Sequence, residues 1–165
     1  MSAHSLPEFT SPYESSPSFG LGDEAARVES VFTEIQKHAM ASMSLGKARQ
    51  DALDSLYATF TEGCQTGWDG YDASAACYES YSRANRFIEA LPANFPAPEV
   101  ALDPDGEVSL VWYRASGRVF TVSIGANDDL TYAGKFSPSK KTHGTEPYTG
   151  QVPKVILDNI RRLLA

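Results

Sequence analysis

Residues 67–73 read Gly-Trp-Asp-Gly-Tyr-Asp-Ala and combine two large aromatic side chains with two carboxylates. Paired carboxylates can bind a cation or exchange protons, and flat aromatic rings supply contact area for a ligand. A calcium loop needs more oxygen ligands than this stretch supplies, so we predict no metal site here. Two roles remain for these residues: they bind a ligand or partner, or they pack the loop against the core.

Two interpretations of this loop remain open. In the first, Trp68 and Tyr71 contact a partner, and the neighbouring carboxylates orient it. In the second, the loop is structural: Trp68 packs between two helices, Asp69 accepts hydrogen bonds from backbone N–H groups of the loop, and Asp72 caps the next helix. The two interpretations are compatible, because a packed loop still presents an edge.

Hydrolytic catalysis requires a nucleophile, a base and an orienting group, and the sequence offers one conceivable dyad, Cys77 with His143. No local signature surrounds either residue, and Cys77 lies on the apolar stripe of a predicted helix, where a buried thiol is usually inert. We therefore assign no catalytic residue and no cofactor, and a small-ligand enzyme stays a second alternative. Cys64 and Cys77 are predicted to be free thiols, and with three histidines they form no zinc-binding spacing.

The segment from Lys135 to the C-terminal helix is the only locally basic region of the chain. Its charged residues could contact phosphate groups, and its tyrosine could stack on a base. The predicted nucleic-acid-binding residues are Lys135, Lys140, Lys141, His143, Tyr148, Lys154 and Arg161. Their spacing matches no phosphate-binding loop, so a solvated loop and helix face is the other interpretation of the same residues.

The bulk composition limits the class of protein. The chain has 165 residues, 42% of them hydrophobic, which suits one domain with a single core. Its formal net charge of −7 disfavours non-specific binding to nucleic acid or to an anionic membrane. No segment is long and apolar enough to span a bilayer, and the first residues lack the basic and apolar regions of a secretory signal. We expect a cytoplasmic protein without membrane contact.

The elements that position these residues follow from the hydrophobic period. Residues 1–20 are rich in Ser and Pro and are predicted to form a flexible tail ahead of a single domain over 21–165. Helical spacing predicts a first helix from about Asp23, which Gly46 should end. A second helix is predicted over 47–61, and a third over 75–91 that ends before Pro92.

From Glu99 onwards the hydrophobic period changes from 3.6 to 2, which is typical of strands. Four strands joined by tight polar turns are predicted, at 100–102, 108–113, 119–124 and 130–136. A polar loop over 137–152 and an amphipathic helix over 153–164 complete the chain. This order predicts an α+β fold: N-terminal helices, a four-stranded antiparallel β-meander and a C-terminal helix, with the helices mainly on one face.

The predicted sheet has a second face. If Leu110 and Trp112 point towards the helices, Val111 and Tyr113 point away from them. Both faces are then partly apolar, and an uncovered apolar face on a small protein usually marks an interface, with a protein partner or in a homo-oligomer. The predicted partner-binding residues are Trp68, Asp69, Tyr71, Asp72, Val111 and Tyr113.

Several short motifs of the chain stand in the order found in a group of small uncharacterised bacterial proteins, which this sequence resembles. They are Trp68-Asp69-Gly70-Tyr71-x-Ala73, the helix end Leu91-Pro92, Pro98-x-Val100, the Asp105-Gly106 turn and Leu110-x-Trp112. The resemblance covers roughly residues 67–135 and implies an accessory protein of the kind found on mobile or defence islands. We expect a role in a defence, toxin–antitoxin or phage-related system. The resemblance implies no activity. The expected function is therefore that of a non-catalytic accessory protein that binds another protein, and nucleic-acid binding is the alternative.

Overall fold

The computed structural model describes residues 22–114 and 117–165. Contacts within the chain divide it into two units, Met1–Ala39 and Met40–Ala165. The predicted tail, residues 1–20, lies outside the described residues. Within the described ranges the chain forms three helices and one antiparallel sheet, so the α+β class is confirmed.

The first helix, α1, spans Gly22–Glu62 without a break, so the predicted end at Gly46 is wrong. A glycine within a helix costs about 1 kcal/mol relative to alanine, which is too little to end a helix that its neighbours support. Residues 26–47 are all exposed, including the large apolar side chains Val31, Phe32 and Ile35, whereas Ala52 and Leu56 are buried in the core. The helical spacing of apolar residues correctly predicts a helix here. It does not predict whether the apolar side of that helix is buried.

The second helix, α2, spans Tyr78–Ala90 and begins later than the predicted start at Ala75. Its N-cap is Cys77, which makes no side-chain capping hydrogen bond, so the predicted cap by Asp72 is wrong. The residues before the helix are held by other partners. The Ser74 N–H donates to the Pro104 carbonyl at 2.7 Å, outside any helical pattern.

The sheet is a five-stranded meander in which every strand pairs with its neighbours in the chain. The strands are β1 (Glu99–Leu102), β2 (Val108–Arg114), β3 (Arg118–Ile124), β4 (Asp129–Lys135) and β5 (Lys141–Pro147), in that spatial order. The prediction of four strands is wrong, because β5 lies in the predicted polar loop. β5 is an edge strand that pairs with β4 alone, and it has no alternation of apolar and polar residues. Strands are predicted from that alternation, so the sequence pattern gave no sign of β5.

One face of the sheet packs against α2 and against the third helix, α3 (Lys154–Leu164). The even-numbered strand residues point to these helices: the register places Leu110 opposite Val122, and Val122 opposite Tyr132, all of them buried. The helices contribute the buried side chains of Ala84, Phe87, Ile88, Ile156, Ile160 and Leu163 to the same cluster. Burial of this continuous apolar cluster is the main force that holds the layers together.

Candidate functional site

The odd-numbered strand residues form the second face of the sheet, here called the outer face. None of them belongs to the core cluster, whose strand residues are all even-numbered. Three rows cross this face from strand to strand. The first row is Tyr113, Val119, Lys135 and Lys141. The second row is Glu99, Val111, Thr121, Ala133 and His143, and the third is Ala101, Ser109, Ser123, Thr131 and Thr145.

Small side chains line the centre of the outer face, which forms a shallow trough. Two depressions of about 250 Å³ and 340 Å³ share Thr121, Ala133 and His143 in their lining. Neither lining contains a carboxylate or a cysteine, so the histidine has no orienting group of the kind found in hydrolytic triads. The trough offers hydroxyl groups and a flat floor, which suit packing and hydrogen bonding with another surface.

Charge on the outer face is divided between opposite sides. Lys135, Lys141 and His143 are exposed and adjacent on β4 and β5, and we call them the basic corner. Glu99 is exposed at the β1 side of the same face. Asp103 follows β1 and accepts a hydrogen bond from the Ser109 hydroxyl at 2.6 Å. The face therefore carries both signs of charge at separate positions.

The two predicted contact residues of the sheet differ in exposure. Tyr113 is 62% exposed, as expected for a contact surface. Val111 is only 9% exposed, so the expectation of an exposed valine is wrong. The physical reason is position, because Val111 is flanked by Glu99 of β1 and Thr121 of β3, whereas Tyr113 lies beyond the end of β1.

The Trp loop, residues 67–73, divides into a packed part and an exposed part. Trp68 packs against the core cluster and donates its indole N–H to the Ser74 carbonyl at 3.0 Å. Asp69 accepts hydrogen bonds from the backbone N–H groups of Tyr71, at 2.9 Å, and Ala73, at 3.4 Å. These contacts match the structural interpretation of Asp69, and they place Trp68 on the core cluster. Tyr71 is 84% exposed, and Asp72 is exposed beside it.

The chain after the Trp loop packs on the turn between β1 and β2. Gly106, at a φ of +88°, approaches so closely that an added Cβ would lie 2.6 Å from the Ala75 carbonyl oxygen. Three carboxylates gather in this turn. Burial raises the pKa of Glu107 above its usual value, and the nearby charges of Asp105 and Asp103 raise it further.

The predicted basic region is only partly brought together. Lys140 is exposed in the turn beside the basic corner, and Lys154 is exposed on α3. Tyr148 is 5% exposed and packs against Phe87, with 5.8 Å between ring centroids, so its predicted stacking on a base is wrong. Its burial in the core also raises its pKa. Arg161 lies over the Phe95 ring at 4.9 Å.

The conceivable Cys77–His143 dyad does not form. Both thiols are free, and the Cys77 Sγ donates to the Glu79 carboxylate at 2.8 Å, which lowers the pKa of Glu79. His143 lies on the outer face, at the opposite edge of the sheet from the β1–β2 turn to which the Cys77 backbone N–H donates. In the described ranges, no group of three or more His, Cys, Asp or Glu side chains is arranged to hold a metal ion.

We compared the chain with protein-family models, with curated proteins and with solved structures. No match was found in any of the three. Among the described helices, none combines the length and the apolar composition needed to cross a membrane.

Sequence reasoning missed the residues at the centre of the outer face. Thr121, Thr131 and Ala133 are small or β-branched and lie between charged and aromatic positions. A signal for them exists in the sequence. In β3 and β4 large apolar residues alternate with Ser, Thr and Ala, which indicates a second face with small side chains rather than a surface of charged ones.

Proposed function

We propose that this chain is a non-catalytic accessory protein that acts by protein–protein interaction, with the outer face as its contact surface. The resemblance of residues 67–135 to small bacterial proteins supports a role in a defence, toxin–antitoxin or phage-related system. In the proposal Tyr113 is an aromatic contact at the edge of the face and Tyr71 is a second contact on the Trp loop, whereas Trp68 and Asp69 act through the shape of that loop.

The observation that carries the proposal is the difference between the two faces of the sheet. One face is buried under helices, whereas Thr131, Ala133 and Thr145 are exposed on the other. Antiparallel sheets commonly have one face packed on the core and one face of polar residues in solvent. At the edge of the outer face lies an exposed aromatic residue, Tyr113, and aromatic residues are enriched in protein–protein interfaces.

The experiment compares two alanine-to-arginine substitutions. Ala133→Arg places a long cation in the centre of the outer face, and Ala90→Arg places the same side chain on the exposed end of α2. Tagged proteins are used to capture partners from extracts of the native host, with and without nuclease. We expect a stoichiometric protein partner to be lost with Ala133→Arg and kept with Ala90→Arg, while the circular dichroism spectra stay the same.

Equal capture by the two variants, or no protein partner at all, would refute the proposed surface. Capture that disappears after nuclease treatment would support the second candidate, nucleic-acid binding. Nucleic-acid binding is favoured by one observation: Lys140 and all three residues of the basic corner are exposed at the β4–β5 edge of the sheet. That function predicts binding that weakens steeply with salt and is lost when Lys140 and Lys141 are replaced with glutamate.

A further inference from the structure

The outer face has the charge pattern of a surface that is complementary to itself. We propose that its partner is a second copy of this chain, docked face to face about a two-fold axis parallel to the strands. This inference rests on the proposed function, in which the outer face binds protein, and it adds the identity of the partner.

The two-fold axis follows from the rows of the outer face. An axis parallel to the strands keeps each row in place and reverses the strand order, so that β5 of one copy lies over β1 of the other. In the second row this places Glu99 over His143 of the second copy, and Val111 over Ala133. In the first row it places Tyr113 over Lys135 of the second copy, so that an aromatic ring faces a cation.

Sheets that pack face to face are rotated by about 30° relative to each other. Residues near the axis, such as Thr121, stay in register under this rotation, whereas residues at the edges shift along the strands. At each edge of the dimer, Glu99 of one copy therefore faces the basic corner of the other. Both Lys141 and His143 lie close enough to contact it.

The distribution of charge favours a second copy over an unrelated partner. A partner surface with a single sign of charge would oppose either Glu99 or the basic corner with a like charge, which disfavours binding. A second copy in this orientation brings opposite charges together at both edges. The small side chains at the centre permit the separation of about 10 Å that packed sheets adopt.

The area of the face fits a weak dimer. Five strands about 4.8 Å apart, with up to seven residues at about 3.3 Å each, give a face of about 500 Å². Because Ser109 and Val111 are already buried in the monomer, two copies would bury at most about 1,000 Å², the lower limit for a specific interface. We therefore expect a dimer that forms with increasing concentration rather than a permanent one.

The test is a charge exchange followed by sedimentation velocity over a wide range of concentrations. The wild-type chain should shift from the mass of a monomer, 17.9 kDa, towards twice that value. Glu99→Lys and Lys141→Glu each oppose like charges at both edges, and each should weaken the dimer about tenfold. An equimolar mixture of the two variants restores opposite charges at both edges and should dimerise nearly as well as the wild-type chain.

Two further variants control for the surface. Ala133→Arg should abolish the dimer, and Ala90→Arg should leave it unchanged. A wild-type chain that stays monomeric at every concentration would overturn the inference, as would a mixture that fails to recover or a dimer that tolerates Ala133→Arg. A monomer that still loses a captured host protein on Ala133→Arg would overturn only the second copy and leave the proposed function intact.

Discussion

Lys135 and Lys141 lie directly opposite each other across β4 and β5, and both are exposed on the outer face. Two like charges at directly opposed positions of an antiparallel pair are unfavourable, because their Cβ atoms are only about 5 Å apart. The repulsion between these two lysines therefore destabilises the β4–β5 hairpin of the monomer. An opposite charge from a partner would relieve it.

The first prediction concerns this repulsion. In the monomer, Lys141→Glu replaces a like pair with an opposite pair and should raise the free energy of unfolding by about 0.5 kcal/mol. The gain should fade in high salt, which screens exposed charges. Urea denaturation at concentrations where the chain is monomeric measures it. Lys140→Glu is the matched control, since it changes the net charge equally but has no cross-strand lysine; an equal gain in that variant would contradict the explanation.

The second prediction separates the two aromatic residues of the Trp loop. Trp68→Ala removes a partly buried ring and an indole hydrogen bond, and should lower the free energy of unfolding by about 3 kcal/mol. Tyr71→Ala removes an exposed ring and should change it by less than about 0.5 kcal/mol. Chemical denaturation of both variants is the measurement. Similar losses in the two would show that the packing of the loop is misassigned.

The third prediction concerns the contact between the turn before β2 and the chain before α2. Gly106 and Gly117 both have positive φ, but only Gly106 lies against another backbone segment. Gly117→Ala should cost about 1 kcal/mol from backbone strain alone. Gly106→Ala adds a clash with the Ala75 carbonyl oxygen and should cost about 3 kcal/mol in total. If thermal unfolding gave equal costs, the close approach would not exist in solution.

The fourth prediction is a pH dependence that originates in Glu107. Because its pKa is raised in the folded chain, the protonated form is favoured there, and stability falls as the pH rises from the unfolded pKa, about 4.3, through the folded one. Glu107→Gln cannot ionise and should gain stability relative to the wild type as the pH rises from acid to neutral. Urea denaturation over this range measures the difference.

Glu79→Gln is the control of opposite sign for that experiment. The pKa of Glu79 is lowered by the hydrogen bond from Cys77, so its ionised form is the favoured one above the unfolded pKa. The variant should therefore lose stability relative to the wild type as the pH rises from acid to neutral. A parallel response of the two variants would mean that the burial of Glu107 is not the cause.

Much of the fold follows from local patterns in the sequence. The Asp105-Gly106 turn and the alternation in β2 and β3 are strong local signals, and those strands are found within a residue of the predicted bounds. The errors arise where tertiary contacts override local preference. Gly46 does not end α1, and β5 forms without an apolar pattern because pairing with β4 satisfies its backbone.

The candidate site was harder to predict than the fold. Its residues are contributed by all five strands, and they become neighbours only through the register. A register shift of one residue would turn every one of these side chains to the opposite face. The basic corner illustrates this: Lys135 and Lys141 were expected in one basic region, but their direct opposition depends on the existence of β5.

The sequence by itself determined the class of fold, the position of the sheet after the N-terminal helices and the division of the sheet into two faces. Hydrophobic period and turn chemistry carry this information because they act over a few neighbouring residues. Only the tertiary structure decided which aromatic side chains are buried. Trp68 and Tyr71 are three residues apart in one loop, and Tyr148 was expected at a surface, yet Trp68 and Tyr148 pack on the core while Tyr71 does not. Burial depends on which distant segments close over a residue, and no local pattern carries that information.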